Sequence, residues 1–305
     1  MEKSVLLLVI VLVLVVSQAA LGDVALKPEI EGKWWDVAGN PDLGELNGTN
    51  TSRPQQPVDF AIWRDKLGMW RIWSCIRHTA LPKYTRLFFG WESKDLFAEH
   101  WQETGVMMRS DMSLGEGENG LQAPYVFGYR HQFIMLYGDI ENICMAVSPD
   151  GKTFHRAVKP DGTPALFSDG EGANTRDPMV LESERVFYCY YTAWPDRYGA
   201  VYCRTSKNLT EWSDPVKVAF GGQAGANIYA GECPFVVRNG GKYYLFRTQR
   251  YGKDAKTSIY CSDDPLYFGI NDDSYLLCTL PIAALRPDLQ GIQIARRRWV
   301  ETARP

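Results

Sequence analysis

The sequence predicts an all-β chain folded as a five-bladed β-propeller, with the last blade short or closed by the N-terminal segment. Three observations predict it. A polar turn ending on an aromatic residue recurs four times at near-constant spacing. A short start followed by two β-rich runs precedes each turn. No long stretch of helical periodicity interrupts them.

The recurring turn is Ser93-Lys-Asp-Leu-Phe-Ala-Glu-His-Trp101, then Ser148-Pro-Asp-Gly-Lys-Thr-Phe154, Ser206-Lys-Asn-Leu-Thr-Glu-Trp212 and Ser262-Asp-Asp-Pro-Leu-Tyr-Phe268. The four serines are 55, 58 and 56 residues apart. The preceding starts are Val58-Asp59-Phe60, Ala123-Pro124-Tyr125, Arg176-Asp177-Pro178 and Glu232-Cys233-Pro234. Each leads into aromatic, β-branched runs such as Val186–Tyr191 and Lys242–Phe246. Arg238-Asn239-Gly240-Gly241 and Asp65-Lys66-Leu67-Gly68 between such runs carry hairpin chemistry. Units of this length with about four strands describe propeller blades. The starts of the innermost strands converge on one mouth of the central channel, which would gather Asp59, Asp177 and Glu232 there.

The fifth unit is short. After Leu276–Pro281 only Gly291–Ala295 and Arg298–Val300 read as strands, so either residues 23–57 supply a missing strand and remove an open sheet edge, or the last blade is truncated.

The chain opens with a charged start, an apolar run from Val5 to Val16, and small residues up to Gly22. This is the form of a secretory signal peptide over residues 1–22, leaving one domain over 23–305 that is secreted or periplasmic and free of the membrane after cleavage. The net charge of −3 argues against nucleic acid as the main partner, because phosphate binding needs a concentrated basic face. Arg296-Arg297-Arg298 reads as a solvated strand edge. The four histidines lack metal-ligand spacing and no C-x-x-C occurs, so neither a metal nor another cofactor is expected. Cys189 and Cys203 flank a predicted turn and form either a cross-hairpin disulfide or two buried thiols, the latter preferred. The 10 Trp and 16 Tyr serve strand cores or stack on sugar rings; Trp34 and Trp194 are candidates for the second use.

Three acids at one mouth suit a particular chemistry. Cleaving a glycosidic bond takes one protonated carboxyl group to supply the leaving oxygen and one ionised carboxylate as nucleophile or base, and a third acid can tune the pair. Thr175-Arg176-Asp177-Pro178 resembles the Arg-Asp-Pro motif of glycoside hydrolase family 32, and Gly231-Glu232-Cys233-Pro234 resembles its Glu-Cys-Pro motif. Family 43 shares the five-bladed propeller. The resemblance covers residues 58 to about 270. It implies Glu232 as general acid/base, Asp177 as transition-state stabiliser, Arg176 as a sugar-binding or orienting residue, and Asp59 as nucleophile or base. Where family 32 has Asn-Asp-Pro-Asn-Gly, this chain has Val58-Asp59-Phe60-Ala61-Ile62. The implied activity is hydrolysis of furanosides in oligo- or polysaccharides, retaining on the family-32 pattern and inverting on the family-43 pattern. The alternative is a glycan-binding propeller without catalysis.

Overall fold

The computed structural model describes residues 25–49, 52–249, 256–280 and 292–302; the expected leader at 1–22 lies outside them. The chain enters along β1 (Ala25–Ala38) and then builds four antiparallel sheets in succession. The first holds β2 (Gln56–Arg64), β3 (Trp70–Arg77), β4 (Leu87–Ser93) and β5 (Gln102–Met108). The second holds β6 (Gln122–Tyr129), β7 (Gln132–Gly138) and β8 (Ile143–Ser148), with the short β9 (His155–Arg156) and β10 (Ala165–Phe167) both paired to β8. The third holds β11 (Arg176–Ser183), β12 (Val186–Ala193), β13 (Ala200–Ser206) and β14 (Val216–Ala219). The fourth holds β15 (Glu232–Asn239), β16 (Lys242–Gln249), β17 (Lys256–Ser262) and β18 (Leu276–Leu280). Strands follow chain order across the first, third and fourth sheets and from β6 to β8 in the second, and the first strands β2, β6, β11 and β15 stand side by side around the centre.

The expectation of five blades does not hold. The described residues form four blades, and the two strands left over, β1 and β19 (Ile292–Thr302), pair with each other as a two-stranded antiparallel ribbon. Chain length divided by the repeat suggested a fifth unit. After β18, however, the described C-terminal residues supply one strand, and its partner comes from the other end of the chain. The ribbon packs on both flanking blades. Val37, Ala38 and Ile292 are buried with Ile72, Leu87 and Trp91 of the first sheet. On the other side the Leu26 amide donates to the Tyr244 hydroxyl at 3.1 Å, and the Tyr244 ring lies 4.7 Å from Trp299. Arg298 is exposed on β19 and donates to Glu29 across the ribbon at 3.2 Å, as a solvated strand edge should.

The repeated turn explains how the sheets stay together. Each serine ends the third strand of its sheet and accepts backbone N–H groups of the turn through its hydroxyl, as in Gly151 N to Ser148 at 2.8 Å and Leu209 N to Ser206 at 2.9 Å. The Asp or Asn two places on caps the next amides, as in Lys152 N to Asp150 at 2.8 Å and Leu266 N to Asp264 at 2.8 Å. These bonds aim the terminal aromatic into the seam with the preceding element. Phe154 meets Trp63 and Trp73 of the first sheet edge-on. Trp212 meets Phe167 of the second, and Phe268 meets Tyr190 of the third. Trp101 binds the ribbon, its amide donating to Val37 O at 2.8 Å. The four buried apolar clusters accordingly occupy the seams between successive sheets and the seam between ribbon and first sheet.

The β12–β13 register places Cys189 opposite Arg204 and Cys203 opposite Tyr190. Residues one step out of register face opposite sides of a sheet. The two thiols therefore lie in different seams as buried, unbridged side chains.

Replacing the fully buried plug Phe268 by Ala should destabilise the fold by about 3–5 kcal/mol. The exposed Val158→Ala variant should stay within about 0.5 kcal/mol of the parent. Urea unfolding midpoints of the two variants check this.

Candidate active site

Each innermost strand begins with a break in register: between Val58 and Phe60, Gln122 and Tyr125, Arg176 and Met179, and Glu232 and Phe235. At each break one residue takes left-handed backbone, with φ of 30° at Asp59, 48° at Ala123, 57° at Asp177 and 52° at Cys233. Such angles are uncommon for residues other than glycine and store strain that the surrounding structure must hold. In a regular strand consecutive side chains face opposite ways; a bulge relaxes that rule. Arg176 and Asp177 therefore both reach the mouth, as do Glu232 and Cys233. The equivalent positions are Asp59, Ala123, Asp177 and Cys233, preceded by Val58, Gln122, Arg176 and Glu232. Glu232 thus stands one place earlier in its strand than Asp59 and Asp177 stand in theirs.

All three sequence-predicted acids meet at the mouth. The carboxylates of Asp59 and Asp177 and the thiol of Cys233 place one ligand atom each within 4.8 Å of one another. The Cys233 amide donates to Asp177 Oδ2 at 3.1 Å, and the Cys233 thiol donates to Asp59 Oδ1 at 3.7 Å. Arg176 ties the acids together. Its guanidinium donates to Glu232, lies 3.7 Å from Asp177 Oδ2, donates to Asn174 O at 3.0 Å, and stacks 4.3 Å over the Trp194 ring. Arg176, Asp177 and Glu232 expose only 6, 7 and 5% of their surface. Asn174 also accepts from Gln122 at 2.9 Å, and Gln122 in turn accepts from Arg86. Gly138 makes room for this chain: a Cβ there would meet the Gln122 side chain at 2.9 Å and Arg176 Cβ at 3.4 Å.

Burial sets the protonation states. It raises the pKa of Glu232 to about 7 against the pull of Arg176, and the charges of Asp177 and Asp59 push the same way. Burial also raises Asp59, and the neighbouring Asp177 charge adds to the rise, while Arg86, Arg77 and Arg176 oppose it. Asp59 is only partly exposed at the mouth. The Cys233 thiol is pushed well above its usual value by burial and then by Asp177. It is therefore a proton donor to the acids. Among the described residues Asp59, Asp177 and Cys233 are the cluster with ligand atoms close enough to hold an ion. The set suits a metal poorly, because a thiol must lose its proton to ligate and this one resists doing so.

Trp194 directly follows β12 and joins the acids through Arg176, with its ring under the guanidinium and its indole N–H donating to Gly172 O at 2.8 Å. Trp34 does not join the acids. It is exposed on β1 next to Trp35, whose ring packs against Phe97 in the β4–β5 turn, at the end of the first sheet opposite Asp59. Sequence reasoning missed Gln122, Asn174, Arg86 and Cys233 as members of the site. The proline shared by Gln122-Ala-Pro124, Arg176-Asp-Pro178 and Glu232-Cys-Pro234 was the available signal for Gln122 and Cys233.

No family model and no curated protein matches the sequence. Solved structures do match the fold. A thermostable family-43 glycoside hydrolase shares 20% identity, over 72% of this chain and 73% of that one, with a TM-score of 0.54. An endo-arabinase from Bacteroides thetaiotaomicron VPI-5482 shares 16%, over 73% and 81%, at 0.53. The catalytic domain of a family-62 α-L-arabinofuranosidase from Coprinopsis cinerea shares 15%, over 85% and 76%, at 0.54. At these identities the likeness is one of fold, so the chain has the β-propeller arrangement found in these glycoside hydrolases. The family-32 resemblance rests on the two short motifs alone.

The Glu232 carboxyl should hold its proton up to a pH of about 7. Infrared difference spectra of the protein against Glu232→Gln should show the protonated C=O band fading around that pH. In Arg176→Ala the band should persist to higher pH, because the cation that favours the ionised form is gone.

Proposed function

We propose that the protein is a glycoside hydrolase acting on furanosides, arabinofuranosides foremost. The observation that carries this reading is Glu232: a buried carboxyl group raised to about 7 and held by Arg176 beside two further acids at the channel mouth. Such a group still holds a proton near neutral pH and can pass it to a leaving glycosidic oxygen. Asp59 acts as nucleophile or base; burial and the Asp177 charge raise its pKa, and Arg86, Arg77 and Arg176 oppose that rise in favour of the ionised form. Asp177, fixed by the Cys233 amide and close to Arg176, stabilises the positive charge that develops on the sugar ring. Arg176 orients the acids, and Trp194 offers an aromatic face to the substrate. The arabinoside preference follows the names of the fold neighbours, an endo-arabinase and an α-L-arabinofuranosidase among them. A cleaved leader over 1–22 would deliver one domain, 23–305, to the periplasm or the medium, where polysaccharides are met.

A second reading is a glycan-binding propeller without turnover. It is favoured by Cys233, which occupies the position where the first and third sheets carry a carboxylate. A panel of aryl furanosides and pyranosides, arabinan and short fructans separates the two. Hydrolysis by the 23–305 protein, falling about 10²–10⁴-fold in Glu232→Gln, supports the enzyme. Glycan binding unaltered by Glu232→Gln, with no turnover of any member, supports the second reading. The anomer released first, followed by NMR, distinguishes retention from inversion.

The pH profile carries a separate expectation. The acid must be protonated in the free enzyme, so kcat/KM should fall as pH rises through about 7. Arg176→Ala should move that limb to higher pH, and a limb that stays in place in the variant would count against Glu232 as the acid.

A further inference from the structure

A cleft of about 430 Å³ lies between Gly48, Thr49 and Arg53 on one side and the turn that joins β3 to β4 on the other. Its volume falls in the range of about 300–1,000 Å³ typical of small-ligand sites. Its lining includes Arg53, Arg77, His78, Lys83 and Arg86. Arg77 ends β3 opposite Gln56, three residues before Asp59, and Arg86 immediately precedes β4. The cleft therefore opens on the edge of the first sheet that carries Asp59, and the charges of Arg86 and Arg77 act on the Asp59 carboxyl.

In a chain of net charge −3 this gathering of cations runs against the overall balance. Among the described residues no ion pair involves Arg53, Arg77, Lys83 or Arg86. Two of them are held by neutral amides. Arg86 donates to Gln122, and the Gln56 amide, with its oxygen turned toward Arg77, accepts from Nε at 2.7 Å. An amide fixes a guanidinium in place without cancelling its charge, so the donors remain free for a ligand. His78 binds Pro54 O at 3.1 Å, and burial together with the nearby Arg77, Arg53 and Arg86 charges lowers its pKa, which marks the same positive field. Balancing the catalytic acids accounts for Arg77 and Arg86. It does not account for Arg53 and Lys83, which are exposed on the rim and serve none of them.

We infer that this cleft is an anion-accepting subsite that seats a carboxylate or sulfate group of the sugar chain while the neighbouring ring lies over the acids. Forked guanidinium donors match the planar carboxylate and the sulfate oxygens alike. The substrate class is thereby narrowed to furanoside-containing chains bearing uronate or sulfate groups, an inference that rests on the glycosidase reading for its place next to a scissile bond.

Calorimetric titration of the Glu232→Gln protein tests it without turnover. The probes are tri-galacturonate, a sulfated galacto-oligosaccharide of similar length, and neutral arabinotriose. At low salt at least one charged probe should bind about tenfold tighter than the neutral one. The advantage should shrink at roughly 1 M salt as the charges are screened. Arg53→Ala/Lys83→Ala in the same background should remove most of the advantage without moving the unfolding midpoint. The charged probe that binds tells uronate from sulfate. Equal binding of all three probes, or a preference that survives the double variant, overturns the inference. Hydrolysis of neutral furanosides without any anionic preference would sink this inference alone. Anionic preference in a protein that turns over no substrate would sink the catalytic reading and keep the subsite.

Discussion

The mouth of the propeller depends on a backbone constraint: one residue at the start of each innermost strand is forced into left-handed conformation. Without that kink, Arg176 and Asp177 would face opposite sides of their sheet, and so would Glu232 and Cys233. With it, two neighbours per strand turn to the same opening. A ring of a few short strands thus offers twice the functional density that regular pleating allows. The strain is held in place by the seams, where Phe154, Trp212 and Phe268 lock each sheet against the one before.

Arg176 shows how fold and chemistry share a side chain. A cation so deeply buried would be unfavourable alone, and so would Glu232 and Asp177. Together they form a set in which removing one member leaves the others uncompensated. The stack on Trp194 and the bond to Asn174 O fix the guanidinium plane, so the charges sit at defined places before any ligand arrives. Preorganisation of this kind is what lets a site stabilise developing charge at little reorganisation cost.

Much of this was legible in the sequence, and the illegible parts have physical causes. The Ser–Asp turns were visible because each is a local hydrogen-bonding device with fixed offsets, seen at Ser148-Pro-Asp150 and Ser206-Lys-Asn208. The acids at 59, 177 and 232 were visible because the repeat placed them at strand starts. The number of blades was not, since a two-stranded closure between segments on either side of the four sheets has no periodic signature and looks like a shortened unit. The stagger of Glu232 against Asp177 was hidden because it lies in φ, not in composition. Only the shared proline of Arg176-Asp-Pro178 and Glu232-Cys-Pro234 aligns Asp177 with Cys233. Trp34 was misjudged since an aromatic on an exposed ribbon reads like one at a subsite. Arg77 and Arg86 belong to no motif; a turn brings them to the mouth.

The β1–β19 ribbon has a consequence for how the molecule is made. On the ribosome, β1 emerges before the four sheets and its partner emerges after them. Until then the flank of the first sheet carrying Ile72, Ile76 and Trp91 lacks its cover from Ile292, and Tyr244 of the fourth sheet lacks Trp299. The nascent protein must wait as an open arc with a greasy surface at either end. Joining them closes a loop that spans all four sheets, a contact of high sequence separation and so of the kind that forms slowly. A polypeptide cut short before β19 would keep all its acids and most of its core, yet it would be the form readiest to stick to a second copy of itself.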